Sequence, residues 1–395
     1  MDNFIYYTPT KIYFGKGEEN KVGKILKSYN PKKILLVYGS GSVIKSGLLA
    51  KVEKLLDEEG LKYIEFGGAK PNPELSHAYL GIELGKKEGV DFVLAIGGGS
   101  AIDTAKGIAN GLANPEDDLW DYHIKKKTPA KTMKKGAILT LSAAGSEMSN
   151  SSVLTNTETH VKSGYNSDFN RLDFAICNPE LTYTVSPYQT ACGAVDIGMH
   201  TIERYFALGD DVDITEGIAE AIIKTSIKYG KLSYLNPTDY NARAHMMWAS
   251  SVSHNGLTDC GRSFLLTVHQ LEHALSAIYP HVAHGAGLAA LWCSWARYVY
   301  KANIDRWCKY AHNVWGIEVD PNNKEKAINE AIDKQEAFYK EINMPIGLKE
   351  LGVKEEDLVS LALKTSQNKT RIIPGYKPLG YEEVLDIFTL AYNND

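Results

Sequence analysis

Residues 92–106, FVLAIGGGSAIDTAK, contain the pattern that decides the fold. Five apolar residues at 92–96 predict a buried strand, three glycines and a serine follow at 97–100, and a helix-forming stretch begins at Ala101. Free backbone N–H groups at a helix N-terminus bind anions, and glycines let a pyrophosphate approach the main chain closely. This context favours phosphate binding over a turn that needs glycine only for its dihedral angles. The spacing is not GxGxxG, so the segment predicts a Rossmann-like unit without the Rossmann fingerprint.

The residues upstream repeat the strand-then-helix order of this segment. Apolar runs at 34–38 and 63–66 predict two further strands, and stretches at about 43–59 and 74–87 predict amphipathic helices between them. Strands separated by helices of this length predict βαβ units on a parallel sheet with right-handed crossovers. Short apolar runs at 137–141 and 174–177 extend this α/β half of the chain.

The pattern changes near Ser186, where a proline-containing segment precedes a long helical run. Four stretches then carry apolar residues at helical spacing without alternation: 187–208, 213–231, 240–254 and 263–277. We therefore predict two domains, an α/β dinucleotide-binding domain over 1–185 and an all-α domain over 186–395. A chain of 395 residues is long enough for two domains of ordinary size.

The composition excludes several classes of protein. With 44% hydrophobic and 23% charged residues and a formal net charge of −5, the chain has the profile of a soluble enzyme without a basic footprint for nucleic acid. No apolar run is long enough to cross a membrane, and the polar, aromatic N-terminus lacks a signal-peptide core. Five scattered cysteines without a CxxC pair fit a reducing compartment. These features predict a cytoplasmic location.

Histidines and one aspartate indicate a metal site in the helical half. Asp196 and His200 are four residues apart in a predicted helix, His269 and His273 repeat that spacing, and His284 follows in a predicted turn. Residues four apart project from one helix face, and imidazole with carboxylate suits Zn²⁺ or Fe²⁺. Spacing alone does not decide which residues bind the ion, and a purely structural metal remains an alternative.

The first predicted strand-to-helix turn bears on a dinucleotide's identity. Residues 39–42 are Gly-Ser-Gly-Ser and contain no carboxylate. Sites specific for NAD commonly use Asp or Glu to bind the ribose 2′-OH, and that charge repels a 2′-phosphate. Small hydroxyls and exposed N–H groups could instead hold a phosphate, so the turn favours NADP(H). The alternative is a flexible loop that makes no contact.

In combination, these motifs resemble the iron-containing (group III) alcohol dehydrogenase family, and within it the butanol dehydrogenase-like branch of NADPH-dependent aldehyde reductases. The stretches that carry the resemblance span nearly the whole chain: 14–15, 97–106, 144–147, 196–200 and 269–285. The resemblance implies a dehydroquinate synthase-like architecture, with an α/β domain, a helical domain and a cleft that holds cofactor and metal. It also implies a homodimer.

The resemblance assigns roles to individual residues. The metal ligands, for Fe²⁺ or Zn²⁺, fall on Asp196, His200, His269 and His284, and a further active-site histidine falls on His273. NAD-linked members have an aspartate where this chain has Gly39, and a threonine common in the family is replaced by Ala144. The predicted cofactor contacts are Gly39, Ser40, Ser42, Asn72, Gly98, Gly99, Ser100, Asp103, Thr140, Leu141, Ser142 and Lys162.

The implied activity is the interconversion of primary alcohols and aldehydes, of the butanol and butanal type, by direct hydride transfer from NADP(H). His273 would relay the proton to solvent, since its intrinsic pKa suits both directions. Glycerol dehydrogenase and 3-dehydroquinate synthase share the architecture, but we expect more basic residues in the synthase's cleft. A sensor that binds dinucleotide and metal without turnover is the non-enzymatic alternative; the presence of all the ligand positions and His273 argues against it.

Overall fold

The computed structural model describes residues 1–209, 211–263 and 265–394. The chain forms two compact units, of which the sheet unit comprises Tyr7–Val185 and Pro237–Asn255, and the helical unit comprises Met1–Tyr6, Ser186–Asn236 and Gly256–Asp395. One division between the two units falls between Val185 and Ser186. The structure differs from the predicted domains in two segments, 1–6 and 237–255, which belong to the other unit.

The sheet unit is built on a six-stranded parallel sheet with the strand order β1-β8-β5-β4-β2-β3, together with an antiparallel pair formed by β6 and β7. The predicted parallel α/β organisation is therefore confirmed. The strands are β1 (Lys11–Phe14), β2 (Ile34–Gly39), β3 (Tyr63–Ala69), β4 (Phe92–Gly97), β5 (Lys134–Leu139), β6 (Ser151–Asn156), β7 (Val161–Asn166) and β8 (Phe174–Cys177).

The central strands are continuous apolar runs because helices cover both faces of the sheet. Alternate residues of β2 belong to different cores: Leu35 and Val37 pack in one cluster, and Ile34 and Leu36 pack in the other. The helices that flank the sheet are α1 (Val22–Tyr29), α2 (Ser42–Lys45), α3 (Leu48–Glu58), α4 (Leu75–Glu88), α5 (Gly99–Ala113) and α6 (Leu119–His123).

The helix predicted at about 43–59 is divided in the structure. Gly47 has a φ of +76° between α2 and α3, a left-handed conformation that a continuous helix does not contain. The division leaves α2 as a short turn of helix directly after β2. In the sheet, β3 lies on one side of β2 and β4 lies on the other side, so the strand order reverses at β2. Ligands of open parallel sheets bind at such a switch point, beyond the carboxyl ends of the strands.

Helix α9 (Tyr240–Ser253) belongs to the sheet unit, although its stretch is predicted as part of the helical domain. Its hydroxyl groups bind the segment after β5: Ala143 N donates to Ser250 Oγ at 3.1 Å, and Ser251 Oγ donates to Glu147 Oε1 at 2.6 Å. A Cβ on Gly145 would lie 2.4 Å from the Ser250 carbonyl oxygen, and Gly145 has a φ of +66°. These polar contacts and this close approach attach α9 to the sheet unit.

The helical unit contains the long helices that follow Ser186, as predicted. Ser186 begins α7 because its side chain accepts a hydrogen bond from Gln189 N, and Pro187 occupies the first turn. No helix among the described residues is both long and apolar enough to cross a membrane. The helices are α7 (Pro187–Tyr205), α8 (Asp213–Leu235), α10 (Thr267–Ile278), α11 (His284–Val299), α12 (Ile304–Trp315), α13 (Lys324–Glu341), α14 (Leu358–Thr365) and α15 (Tyr381–Tyr392).

Candidate functional site

Three helices of the helical unit bring four residues to one point. Asp196 and His200 lie one turn apart on α7, His269 lies in the first turn of α10, and His284 is the first residue of α11. The distances from Asp196 Oδ1 are 3.0 Å to His200 Nδ1, 3.6 Å to His269 Nε2 and 3.8 Å to His284 Nε2. The structure thus brings together the four residues to which the family resemblance assigns the role of metal ligands.

The geometry of this cluster fits a divalent cation. Ligand atoms bound tetrahedrally at about 2.1 Å from an ion lie about 3.4 Å from one another, close to the 3.6 and 3.8 Å observed here. Asp196 Oδ1 and His269 Nε2 are buried, and neither has a partner with good hydrogen-bond geometry among the described residues. A buried polar atom without a partner costs about 1–3 kcal/mol, and a bound cation would remove that cost.

The electrostatics of the cluster fit the same interpretation. Burial opposes ionisation of Asp196, but the imidazoles of His200, His269 and His284 hold its pKa well below the usual value. Burial lowers the pKa of His200 to about 4, so this ring is neutral at pH 7, as a ligand must be. For His269, burial also acts to lower the pKa, but the Glu203 and Asp196 carboxylates raise it to about 9. A cation would take the place of that proton.

His273 lies beside the cluster and not within it. It follows His269 by one turn of α10, and its ring centroid is 6.5 Å from that of His269 and 5.9 Å from that of His284. Its ring is half-buried, whereas His269 is fully buried. The i,i+4 spacing left open whether His273 or His284 joins the cluster. In the structure, His284 is the one of these two residues whose Nε2 lies 3.8 Å from Asp196 Oδ1.

Two buried glutamates that the sequence reasoning missed contact this cluster. Glu203 contacts His269 Nδ1, and Glu272 contacts His284 Nδ1. Each lies three residues after a histidine of the cluster, at 200 and 269, and so on the same helix face. That spacing places each glutamate on the same helix face as a histidine, but it does not show that the glutamate is buried.

The sheet unit brings the predicted phosphate-binding loops to one edge. Strands β2, β4 and β5 are neighbours in the sheet. Gly39 is the last residue of β2, residues 97–100 span the end of β4 and the start of α5, and residues 140–142 follow β5. Thr140 N donates to the Gly97 carbonyl oxygen at 3.0 Å. A Cβ on Gly98 would lie 3.0 Å from Leu141 Cβ, so glycine permits this close packing. The residue that precedes α5 is Gly98, which has no side chain to cap the first turn of the helix.

The remaining predicted cofactor contacts divide into three groups. The Asn72 turn and Lys162 meet at the β6–β7 pair, because Thr155 N donates to the Pro73 carbonyl oxygen at 2.8 Å and Thr155 is the register partner of Lys162. Asp103 is instead engaged within the protein, since Val153 N donates to its carboxylate at 3.1 Å. Ser40 lies in the turn after β2, and Ser42 is the first residue of α2.

Comparisons with known proteins agree with this arrangement. A family model described as iron-containing alcohol dehydrogenase matches residues 9–179, and one described as Fe-containing alcohol dehydrogenase family, C-terminal, matches residues 190–392. The chain is 39% identical to NADH-dependent butanol dehydrogenase A of Clostridium acetobutylicum, over 99% of this chain and 100% of that protein. It is 33% identical to the NADPH-dependent aldehyde reductase YqhD of Escherichia coli, over 93% of this chain and 94% of that protein.

A solved structure gives the same result for the fold. The crystal structure of NADH-dependent butanol dehydrogenase A from Thermotoga maritima superposes with a TM-score of 0.94 at 36% identity and covers 99% of both chains. The family models, the relatives and the fold all point in one direction. The chain belongs to the iron-containing alcohol dehydrogenase family and is an alcohol/aldehyde oxidoreductase.

Proposed function

We propose that this enzyme interconverts primary alcohols and aldehydes of the butanol and butanal type, with NADP(H) as hydride carrier and a divalent ion, Fe²⁺ or Zn²⁺, as an essential cofactor. Membership of the family implies a nicotinamide cofactor and iron or another divalent metal. The observation that carries the proposal is the convergence of three imidazoles on Asp196 Oδ1. The glycine-rich edge of the parallel sheet supports the dinucleotide part of the proposal in the same way.

The donor set suits Lewis-acid chemistry. Asp196, His200, His269 and His284 would hold the ion, and one carboxylate with three neutral imidazoles leaves a divalent cation with net positive charge. A bound ion of this kind polarises a carbonyl group and stabilises negative charge that develops on its oxygen. Because the four side chains are mostly buried, electrostatic interactions at this point are stronger than they would be in water.

The glycine loop suits the pyrophosphate of a dinucleotide. Residues 97–100 join β4 to α5, a helix of 15 residues whose first N–H groups and dipole favour an anion. The loop lies at the switch point of the sheet, next to the carboxyl end of β2. The protein's contribution to hydride transfer is then to hold the nicotinamide and the substrate carbon in a reactive alignment.

The preference for NADP(H) over NAD(H) is argued from the turn after β2. Residues 39–46 contain no carboxylate, and they contain one cation, Lys45. The 2′-phosphate of NADP(H) would therefore meet no like charge from this loop. The relatives named above include both NADH-dependent and NADPH-dependent proteins, so the preference of this chain rests on its own residues.

His273 is proposed to handle the proton. Reduction of an aldehyde requires one proton on the product oxygen, and the reverse reaction must remove it. His273 lies next to the cluster without entering it, and its half-buried ring can exchange protons with solvent. Positioned acid–base groups of this kind contribute about 10²–10⁴-fold in rate.

A ligand variant tests the proposal. His269→Ala should abolish both bound metal and turnover of butanal, while the sheet unit keeps its affinity for NADPH. His312→Ala is the matched control, because His312 is an exposed histidine on α12 of the same unit. Metal content by elemental analysis and NADPH oxidation at 340 nm are measured for both variants. Stoichiometric metal with normal turnover in His269→Ala would contradict the proposal.

A further inference from the structure

We propose that Glu203 and Glu272 are positioning residues, which orient His269 and His284 so that their Nε2 atoms face the ion. This inference rests on the metal site of the proposed function. It concerns two side chains that lie behind the imidazoles, on the opposite edge of each ring from Asp196. We assign to them no contact with substrate or ion.

Glu203 fixes His269 from the end of α7. Its side chain is 1% exposed, and its carboxylate accepts hydrogen bonds from His269 Nδ1 and from the backbone N–H of Val268. A third donor, the backbone N–H of His269, lies 3.3 Å from Glu203 Oε2. The same carboxylate therefore caps the first turn of α10 and holds the ring that this turn carries.

Glu272 performs the equivalent task for His284. Its side chain is fully buried, and its carboxylate contacts His284 Nδ1. Space for it is provided by Gly287 on α11, since a Cβ there would lie 2.9 Å from Glu272 Cγ and 3.4 Å from Oε1. A larger residue at 287 would push the carboxylate away from the imidazole. The structure thus reserves room for a buried charge next to His284.

The effect of these contacts follows from imidazole chemistry. When Nδ1 carries the proton and donates it to a carboxylate, Nε2 keeps its lone pair for the ion, and the hydrogen bond raises the ring's basicity as a ligand. The two Nε2 atoms fixed in this way are those at 3.6 and 3.8 Å from Asp196 Oδ1. A carboxylate is buried only where partners compensate its desolvation, and at each of these two glutamates the histidine ring is one of the compensating donors.

A different role for Glu272 must be distinguished from this one. Oxygen and nitrogen atoms of Glu272, His273 and His284 lie within 4.8 Å of one another, so these three could themselves hold an ion. In that case Glu272 would be a ligand of a second ion, and wild-type protein would bind two ions per chain. The positioning role predicts one ion per chain.

Metal affinity provides a test that does not depend on turnover. Zn²⁺ dissociation constants are measured by competition with a chromophoric chelator, and the Co²⁺-loaded proteins are compared by their visible spectra. Substitutions of groups that orient metal-bound histidines typically cost 10–100-fold in affinity. We expect Glu272→Leu to weaken Zn²⁺ binding about 100-fold, and Glu272→Gln and Glu203→Gln, which keep an acceptor without its charge, about tenfold.

The matched control is Glu216→Gln. Glu216 is also a buried glutamate of the helical unit, but its carboxylate pairs with Arg306 and Lys309. This variant should lose thermal stability while keeping wild-type Zn²⁺ affinity and the wild-type Co²⁺ spectrum. The comparison therefore separates loss of a buried ion pair from loss of ligand orientation. If Glu272→Leu does not fold, the two glutamine variants carry the same test.

The outcomes distinguish a positioning role of Glu203 and Glu272 from binding of a second ion by Glu272. A tenfold or greater increase in the Zn²⁺ dissociation constant of the Glu272 and Glu203 variants, with an altered Co²⁺ spectrum and an unchanged control, supports positioning. Wild-type affinity and spectrum in the Glu272 and Glu203 variants would overturn it, as would two ions in the wild type with one lost in Glu272→Leu. Failure of the wild type to bind any metal would instead refute the proposed function.

Discussion

Gly39→Asp is the most informative single change for cofactor preference. The backbone of Gly39 is outside the left-handed region, and a Cβ there would meet the Ala69 carbonyl oxygen at 3.5 Å, an ordinary contact. The substitution therefore adds a carboxylate to the end of β2 with little strain. Any effect on binding then reports on charge near the ribose of the dinucleotide.

The magnitude follows from Coulomb's law. At about 6 Å in a water-like medium, two like unit charges repel by about 0.7 kcal/mol, and a doubly charged 2′-phosphate by about 1.4 kcal/mol. That corresponds to about tenfold weaker binding of NADPH, whereas the 2′-OH of NADH gains a hydrogen-bond acceptor. The dissociation constants of both nucleotides are measured by nicotinamide fluorescence.

Gly39→Asn is the control for this prediction, because asparagine has nearly the same shape without the charge. The asparagine variant should keep most of the NADPH affinity, and the effect of the aspartate should decrease as salt is added. The reasoning fails if wild-type protein binds and turns over NADH as well as NADPH. It also fails if Gly39→Asp leaves the NADPH dissociation constant unchanged.

Two further predictions concern single histidines. His273→Ala should keep full metal occupancy but lose about 10²–10⁴-fold in rate, together with a limb of the pH–rate profile near neutrality; loss of metal from this variant, with retention in His284→Ala, would reverse the two assignments. His123 is buried, and burial lowers the pKa of its imidazole from 6.5 to about 4. As the pH falls from 6.5 to 4, the imidazole of the unfolded chain therefore binds a proton before that of the folded chain does, and the free energy of unfolding decreases. His123→Gln should reduce that decrease in the free energy of unfolding by about 3 kcal/mol, measured by urea unfolding at pH 6.5 and pH 4. An equal decrease in the wild type and the variant would refute the role assigned to His123.

The pairing of Asp196 with His200 was predictable from the sequence because it is local. Asp196 and His200 lie four residues apart, and a helix converts that spacing into a shared face without help from the rest of the fold. The choice of His284 over His273 required either the family resemblance or the structure, since it depends on where α11 begins. Glu203 and Glu272 were missed because a glutamate in a helix is usually solvated, and only packing decides that these two are buried.

The fold was predictable to a similar depth. The β-branched runs and glycine loops identified the parallel sheet, since each strand signal is contained within a few residues. The placement of α9 was not predictable, because it depends on hydrogen bonds that join Ser250 and Ser251 to Ala143 and Glu147, which lie more than a hundred positions earlier. Asp103 illustrates the same limit, as its contact with Val153 N arises from tertiary structure. The homodimer, the cytoplasmic location and the individual cofactor contacts stay predictions.

We propose that hydride transfer by this enzyme requires an ion held by the cluster around Asp196. The most direct measurement follows NADPH oxidation at 340 nm with butanal, using full-length protein stripped by a chelator and then reloaded with Fe²⁺ or Zn²⁺. We expect no turnover in the stripped protein, restoration by one ion per chain, and faster turnover with NADPH than with NADH. Turnover equal to that of the reloaded enzyme, in protein that elemental analysis shows to be metal-free, would contradict this requirement. So would a lack of turnover in the reloaded protein with either ion and either nucleotide.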